Sequence, residues 1–502
     1  MKILSKRLSI LLATTLLTTS MLAGCGSSSS GSTSSSGTSK LSNYVLDWYF
    51  IGNGPQPDVA KGEAEADKLL TDINVSLKMH CFDWGTYQQK MSTMLATNDK
   101  VDLLMTAGGW GSLYFEDVRK NQLVDITELA PKYAPNAVKT LKGGFWEYSA
   151  VNGKNFALPV NKEKAAQNGL EFNKKLVDKY KFDITSVKSL ADIEPMLKVI
   201  KEQEPSIYGI EANNALVTNY ITMDDEPYVN GLAVLPHDST DNLFVSPADN
   251  HNFTDLFKTM RKYYLAGYIR KDAATVTDPT PDRKAGKSFV IFDSLKPGKD
   301  KEVSASTGVD YVQQTFGTPF MRTNDTTGCM MSIPKAAKDP ARVLMFMDKM
   351  YTDSKLINLI DFGIEGTHYV KKDANTIDFA PNTDAGKKSG YNPGTSWMFG
   401  DQFKSYLFST EDPKKWDLFK AFNESAKALP AAGFAFDDTN VKNEVAACTN
   451  VQKEFEPGLN VGSVDPEVYV GKYRDKLKAA GEDKILSDIN KQYKAWQATQ
   501  KK

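Results

Sequence analysis

The residues best suited to chemistry in this sequence are aromatic. Seven Trp and 21 Tyr are present. Several stand where a strand should end, or beside glycine, rather than inside a helical stripe. Trp48 closes the first apolar run, and Trp84 follows Asp83 after the second. Trp110 and Tyr114 lie in "AGGWGSLYFED", and Trp397 and Phe399 in "NPGTSWMFGDQF". A flat ring held at a strand end can cover the apolar C–H face of a sugar, while carboxylates and amides satisfy its rim of hydroxyls. Asn53, Asp83, Asn161, Glu211, Asn213, Asp293 and Arg322 fall near expected strand ends or crossings and are the candidate polar partners. Each has a plainer reading. A Trp in a large domain commonly fills core, and an Asp at a helix start commonly caps it. Trp146, Trp416 and Trp496 are read as structural, Trp496 because it completes an apolar helical face. Gly108, Gly109 and Gly111 mark a tight turn or a close backbone approach to a ligand.

Other chemistries fail on spacing. "AGKS" (285–288) resembles the end of a phosphate loop, but Pro281 stands where the earlier Gly is required. No HExxH or GxSxG pattern occurs. His80, His237, His251 and His368 lack metal-ligand spacing. Asp224-Asp225-Glu226 and Asp437-Asp438 lack the spacing of a calcium loop. A carboxylate pair could serve a glycosidase, but only through a distance that spacing alone does not fix. No catalytic residue, metal or cofactor is assigned.

The elements that must position these residues alternate. Val45, Leu46, Trp48, Tyr49 and Phe50 within 41–58 suit a buried strand that Gly52-Asn53-Gly54-Pro55 stops, and 59–70 read as a helix, 73–82 as a strand and 87–95 as a helix behind Asp83. Residues 101–109 read as a short strand running into glycines. That alternation is the mark of a doubly wound parallel sheet. "EYSAVNGKNFALPVN" (147–161) reads as a hairpin about Asn152-Gly153. The pattern restarts near residue 161: "NGLEFNKKLVDKY" (168–180) reads as a strand entering a helix, 189–203 and 253–272 as helices, 207–214 as a strand and turn, and 287–293 as a buried strand. Residues 329–366 read as a strand and two helices, and the remainder is mainly helical, broken at 390–400.

The N-terminus speaks to location. Lys2, Lys6 and Arg7 precede an apolar stretch over 8–22 that ends in Leu22-Ala23-Gly24-Cys25. This is a signal-peptide layout, and the apolar part falls short of the roughly 20 residues of a membrane span. The tetrapeptide resembles a bacterial lipobox, which implies an acylated Cys25 at the mature N-terminus. Several acyl chains together anchor stably. The Ser/Gly tract 26–40 would then act as a flexible tether spanning roughly 20 Å. Without residues 1–24 the chain holds 58 basic and 62 acidic side chains, a balance that does not suit nucleic acid. Cys81, Cys329 and Cys448 are widely separated and read as buried free thiols. The length suggests two or more domains.

Several stretches together resemble one family, the solute-binding lipoproteins of bacterial ABC importers, in the carbohydrate-type class and the LplA-like subgroup with its own C-terminal domain. "NGKNFALPVN" resembles the family's first crossing between lobes, and "SIPKAAKDPARVLMFMDKMYTD" its return crossing. "MRKYYLAGYIRKDAA", "DFGIEGTHY" and "GFAFDDTNVKNEVAACTNVQKEFEPGLNVGSVDPE" extend the likeness towards the last helix. The resemblance implies an α/β, two-lobed, Venus-flytrap fold with doubly wound sheets, a hinge and extra C-terminal helices. The first lobe takes 41–160 and the second 161–328. Residues 329–502 return to the first lobe and add the helical region.

The implied function is capture of an extracellular solute, an oligosaccharide by choice, and its delivery to ABC permease subunits by hinge closure. The expected protein is a monomer held to the membrane only by its lipid, with no nucleic-acid partner. The residues themselves leave a peptide ligand open. They also leave a surface-anchored glycoside or cell-wall hydrolase open, which accounts for the anchor and the aromatics but not for the crossing motifs.

Overall fold

The computed structural model describes residues 41–500, except 212, 214–217 and 384–388. Cys25, the signal stretch and the Ser/Gly tract therefore lie outside the described residues. Everything below belongs to the unit that begins at Asn43. In chain order its main strands are β1 Tyr44–Ile51, β2 Val75–Phe82, β3 Leu103–Thr106, β4 Ala157–Pro159 and β5 Gly169–Asn173. They continue with β6 Tyr208–Ile210, β7 Ser288–Ile291, β8 Tyr311–Thr315 and β9 Met330–Ser332.

The first lobe is a five-stranded sheet in the order β2-β1-β3-β9-β4. β1 and β2 pair in parallel over eight positions, from Tyr44 opposite Val75 to Ile51 opposite Phe82. β2 alternates, so Val75, Leu77, Met79 and Cys81 point inward. β3, central and covered on both faces, is buried throughout. Helices Val59–Leu69 and Tyr87–Thr97 bring Ala66, Tyr87, Met91 and Leu95 into the same core. Helix Pro340–Thr352, capped by the Asp339 carboxylate, adds Val343, Phe346, Met347 and Met350.

The second lobe is the sheet β8-β5-β7-β6 around Leu170, Phe172, Leu197, Ile200, Met260 and Phe289. β1 pairs with β2 and β3 in parallel, as the strand–helix alternation implies, but neither sheet is parallel throughout. β9 arrives from the other lobe and so runs antiparallel to both β3 and β4. β5 runs antiparallel to β7 and β8, and only β6 pairs with β7 in parallel.

The Asn152-Gly153 turn forms with both φ angles positive, 52° and 76°. Its upstream flank is nevertheless helical. The Glu147 carboxylate accepts from the backbone N–H of Gly143 and Gly144 and closes a helical turn over Phe145–Tyr148.

Three segments lie edge to edge where the chain passes between lobes. Ala166 and Phe320 exchange backbone hydrogen bonds of 2.9 Å. On its other side the second segment accepts from the third, Lys427 N–H to Pro319 O at 3.1 Å and Leu429 N–H to Met321 O at 3.0 Å. Beyond this joint, helices Lys442–Asn460, Pro466–Ala479 and Glu482–Gln500 build a further core. They enclose Leu232, Val234, Phe253 and Phe257 from the second stretch of chain with Phe455, Tyr473, Leu477 and Ile485 of their own. Trp496 stacks on Tyr493, and the Trp416 indole donates to Ser405 O, both as structural residues. Cys81, Cys329 and Cys448 are free and buried.

Candidate functional site

Three tryptophans gather beyond the carboxyl ends of β1, β2 and β3, the region where open α/β sheets bind ligands. Trp84 stands in the turn after β2. The Asp83 carboxylate accepts from Gly85 N–H, Thr86 N–H and the Thr86 hydroxyl, and this fixes the turn. The indole is 54% exposed. Trp110 follows the glycines after β3. Gly108 is required there because a Cβ would come within 2.4 Å of the Thr327 hydroxyl. Trp397 rides on the short turn Ser396–Met398, which Thr395 ties to β1 by donating to Ile51 O.

The ring centroids form a small triangle. Trp84 lies 5.7 Å from Trp110 and 6.3 Å from Trp397, with planes 26° and 22° apart, and Trp110 lies 5.9 Å from Trp397. Near-parallel rings at that separation are offset sideways, so they tile a surface instead of covering one another. Lys162 sits over the Trp397 ring at 5.1 Å. An apolar plate of this kind, with one cation at its edge, suits the C–H face of a ring whose rim carries polar groups.

Two aromatic expectations are corrected. Trp48 is fully buried because the pleat of β1 turns it inward, against Phe50, Phe346 and Phe399. Tyr114 is also fully buried, its hydroxyl donating to Ser149 O.

The polar candidates are mostly occupied by the protein itself. Asn53 donates to Asn392 O and holds the loop that leads to Trp397. Asn161 donates to Asp401 at 2.7 Å and braces the first crossing. Glu211 is buried beneath Arg283, which donates to both carboxylate oxygens, so it serves as an internal ion pair. Asp293 accepts from Ser294 N–H and faces Lys299 at 3.3 Å. Asn213 is half-buried beyond β6. Arg322 is gripped by Asp325 and lies against a cavity. The structure thus brings together Trp84, Trp110 and Trp397, with Asp83 and Asn53 as their supports, and leaves the second-lobe candidates in separate contacts.

Sequence reasoning missed the ionic chain at the first crossing. Lys162 and Lys296 flank Glu163 at 3.1 and 3.2 Å, and Lys296 also meets Glu302 at 3.2 Å. Burial alone would raise the Glu163 carboxyl, but the two ammonium groups outweigh it and hold the group below the ordinary carboxylate range. The run Lys162-Glu163-Lys164, one residue beyond the apolar Pro159-Val160, was the available signal. Among the described residues no group of three or more His, Cys, Asp or Glu side chains could hold a metal.

Comparison with known proteins gives a consistent result. Residues 53–355 match the family described as bacterial extracellular solute-binding protein, and residues 430–498 match a domain of unknown function, DUF3502. A carbohydrate ABC transporter substrate-binding protein of Streptococcus pneumoniae serotype 4 is 29% identical over 463 residues, covering 89% of this chain and 90% of the relative. The crystal structure of the N-glycan transport solute binding protein of Streptococcus pneumoniae is similar with a TM-score of 0.80 at 26% identity, covering 90% of this chain and 98% of that one. The same protein in complex with Man1GlcNAc gives a TM-score of 0.70 at 26% identity, covering 89% and 98%.

Proposed function

The chain belongs to the bacterial extracellular solute-binding protein family, and on that footing we propose that it captures an oligosaccharide outside the cytoplasm and delivers it to the permease of an ABC importer. The observation that carries this reading is the tile of Trp84, Trp110 and Trp397 at the strand ends of the first lobe. Trp84 is exposed and Trp110 and Trp397 are half-buried beside it, and apolar surface left open in this way marks a binding face. Relatives named for carbohydrate and N-glycan transport support a sugar over a peptide. The two sheets and the three-strand joint suit a mechanism in which ligand shifts the population towards a closed form that the permease recognises. No reaction falls to this chain, and ATP hydrolysis belongs to a separate subunit. Cys25 is the lipid attachment point, residues 26–40 the tether, and the protein works as a monomer of the LplA-like subgroup.

Titration calorimetry of the purified protein with a panel of neutral oligosaccharides, Man1GlcNAc and Man5GlcNAc among them, tests the reading. Stoichiometric binding with unchanged sugar supports it. Release of shortened products on a catalytic timescale would replace it with a surface hydrolase. Cys25→Ser should free the protein from the membrane and leave sugar affinity unaltered, and continued membrane retention would remove the anchor from the account.

A further inference from the structure

Next to the tryptophan tile lies a cavity of about 500 Å³ that has no place in the reading so far. Gly109 lines it and immediately precedes Trp110. A Cβ on Gly109 would meet nothing within 4 Å, so the space beside this residue is open. Phe115 of the first lobe forms part of one wall, and Phe436 of the C-terminal segment forms part of another.

The cavity carries an unusual buried acid. Glu226 is 2% exposed. One carboxyl oxygen accepts from Ala431 N–H at 2.9 Å, and the other has no partner among the described residues. Burial pushes this carboxyl up to about 8, so it stays protonated at neutral pH and has a hydrogen to donate. The adjoining turn is strained. Val229, Asn230 and Gly231 all have positive φ, 52°, 58° and 89°, and a β-branched residue in that region is a true outlier that tends to persist at ligand clamps. Two exposed carboxamides, Asn230 and Asn324, line the cavity, and neither has a hydrogen-bond partner for its side chain among the described residues. The charges present cancel. Arg322 is held by Asp325 at 2.8 Å, and Arg119 lies 3.2 Å from Asp438.

We propose that this cavity is a second sugar-binding zone of the same cleft, taking further neutral, hydroxyl-bearing rings of a long or branched oligosaccharide whose other end lies on Trp84, Trp110 and Trp397. The C-terminal segment of unknown function then has a ligand role, because it walls this zone through Phe436. The inference rests on the oligosaccharide reading above. Its chemistry follows from the groups on offer. A protonated carboxyl donates to a hydroxyl oxygen, two carboxamides both donate and accept, and two phenyl rings face C–H surfaces. Guanidinium groups already matched with carboxylates have little left for an anionic ligand.

The test uses the full-length protein and two probes, Man1GlcNAc and Man5GlcNAc, with two substitutions at exposed cavity positions away from the tile, Asn324→Ala and Asn230→Gly, the second suited to the positive φ of that residue. The unaltered protein should bind the longer sugar more tightly. Each variant should lose about tenfold in affinity for Man5GlcNAc, equivalent to roughly 1.4 kcal/mol, and stay within about twofold for Man1GlcNAc. Thermal melting identifies any variant that fails to fold, and the other then decides. Equal loss for both sugars, or no loss for either, overturns the second zone while leaving the receptor reading intact. If the unaltered protein binds neither sugar, the receptor reading falls for these probes and this inference falls with it.

Discussion

The first lobe holds two aromatic clusters made of the same residue types. Trp48, Phe50, Phe346 and Phe399 interlock inside the sheet with centroids 4.8 to 5.8 Å from Trp48, and the Phe346 and Phe399 rings meet that indole edge-on, at 67° and 76°. Trp84, Trp110 and Trp397 lie beyond the strand ends at 5.7 to 6.3 Å, nearer to parallel. Phe399 and Trp397 are two residues apart and belong to different clusters. The edge-on cluster fills volume and leaves no face free. The tiled cluster fills little and leaves faces available. Packing geometry, more than residue type or nearness to a strand end, separates core from site.

Substitution should pull the two clusters apart. Trp48→Ala should destabilise the protein by about 3–5 kcal/mol, as large cavities in packed cores do. Urea unfolding measures this, and the folded fraction should keep its sugar affinity. A small loss of stability would mean that Trp48 is not the keystone of that core. Trp84→Ala and Trp110→Ala should do the reverse, each weakening sugar binding by about 1–3 kcal/mol with little change in melting temperature. Parent-like affinity in both variants would remove the tile as the site.

Acid should also distinguish the clusters. Glu163 is held low by Lys162 and Lys296, so its contribution is present above the unfolded carboxylate value near 4.3 and lost as pH falls from there towards the lowered folded value. Lys162 leans on Trp397, so sugar affinity of the folded protein should hold through that window and decline only as pH nears the folded carboxyl's value of about 2. The Trp48 cluster contains no ionisable group and should not respond there, which near-ultraviolet circular dichroism can follow. An affinity profile that stays flat there would uncouple the ion pair from the tile. The smallest effect belongs to Asn53→Ala. This exposed residue makes one hydrogen bond to Asn392 O, and the change should stay within about 0.5 kcal/mol in stability.

The strands and helices of the first lobe were readable because β2 alternates cleanly and helix Pro340–Thr352 carries an apolar stripe. The placing of Trp84, Trp110 and Trp397 outside the regular elements was readable because Asp83, three glycines and a Gly/Pro stretch mark irregular backbone. Trp48 and Tyr114 were misplaced for one physical reason. A residue near a strand end can face either way, and only the pleat and the neighbouring helices decide which. The polar candidates failed differently. Glu211 sits near a strand end as expected, but Arg283, 72 positions away, occupies it. Asn161 is likewise taken by Asp401, 240 positions away. Such pairings leave no local trace in the chain. Glu226 was seen only as part of an acidic run, because nothing local shows that one member is buried.

The joint between the lobes has a mechanical consequence. Three strands hydrogen-bonded edge to edge make a ribbon. A ribbon flexes easily across its thin direction. It resists sliding within its own plane, because sliding must misalign N–H···O contacts that weaken steeply with angle. The lobes are therefore left with one soft coordinate between them, a single opening angle. In the proposed transport role, a ligand that spans them would have mainly that angle to set, and a permease would need to read only that angle to tell a loaded receptor from an empty one.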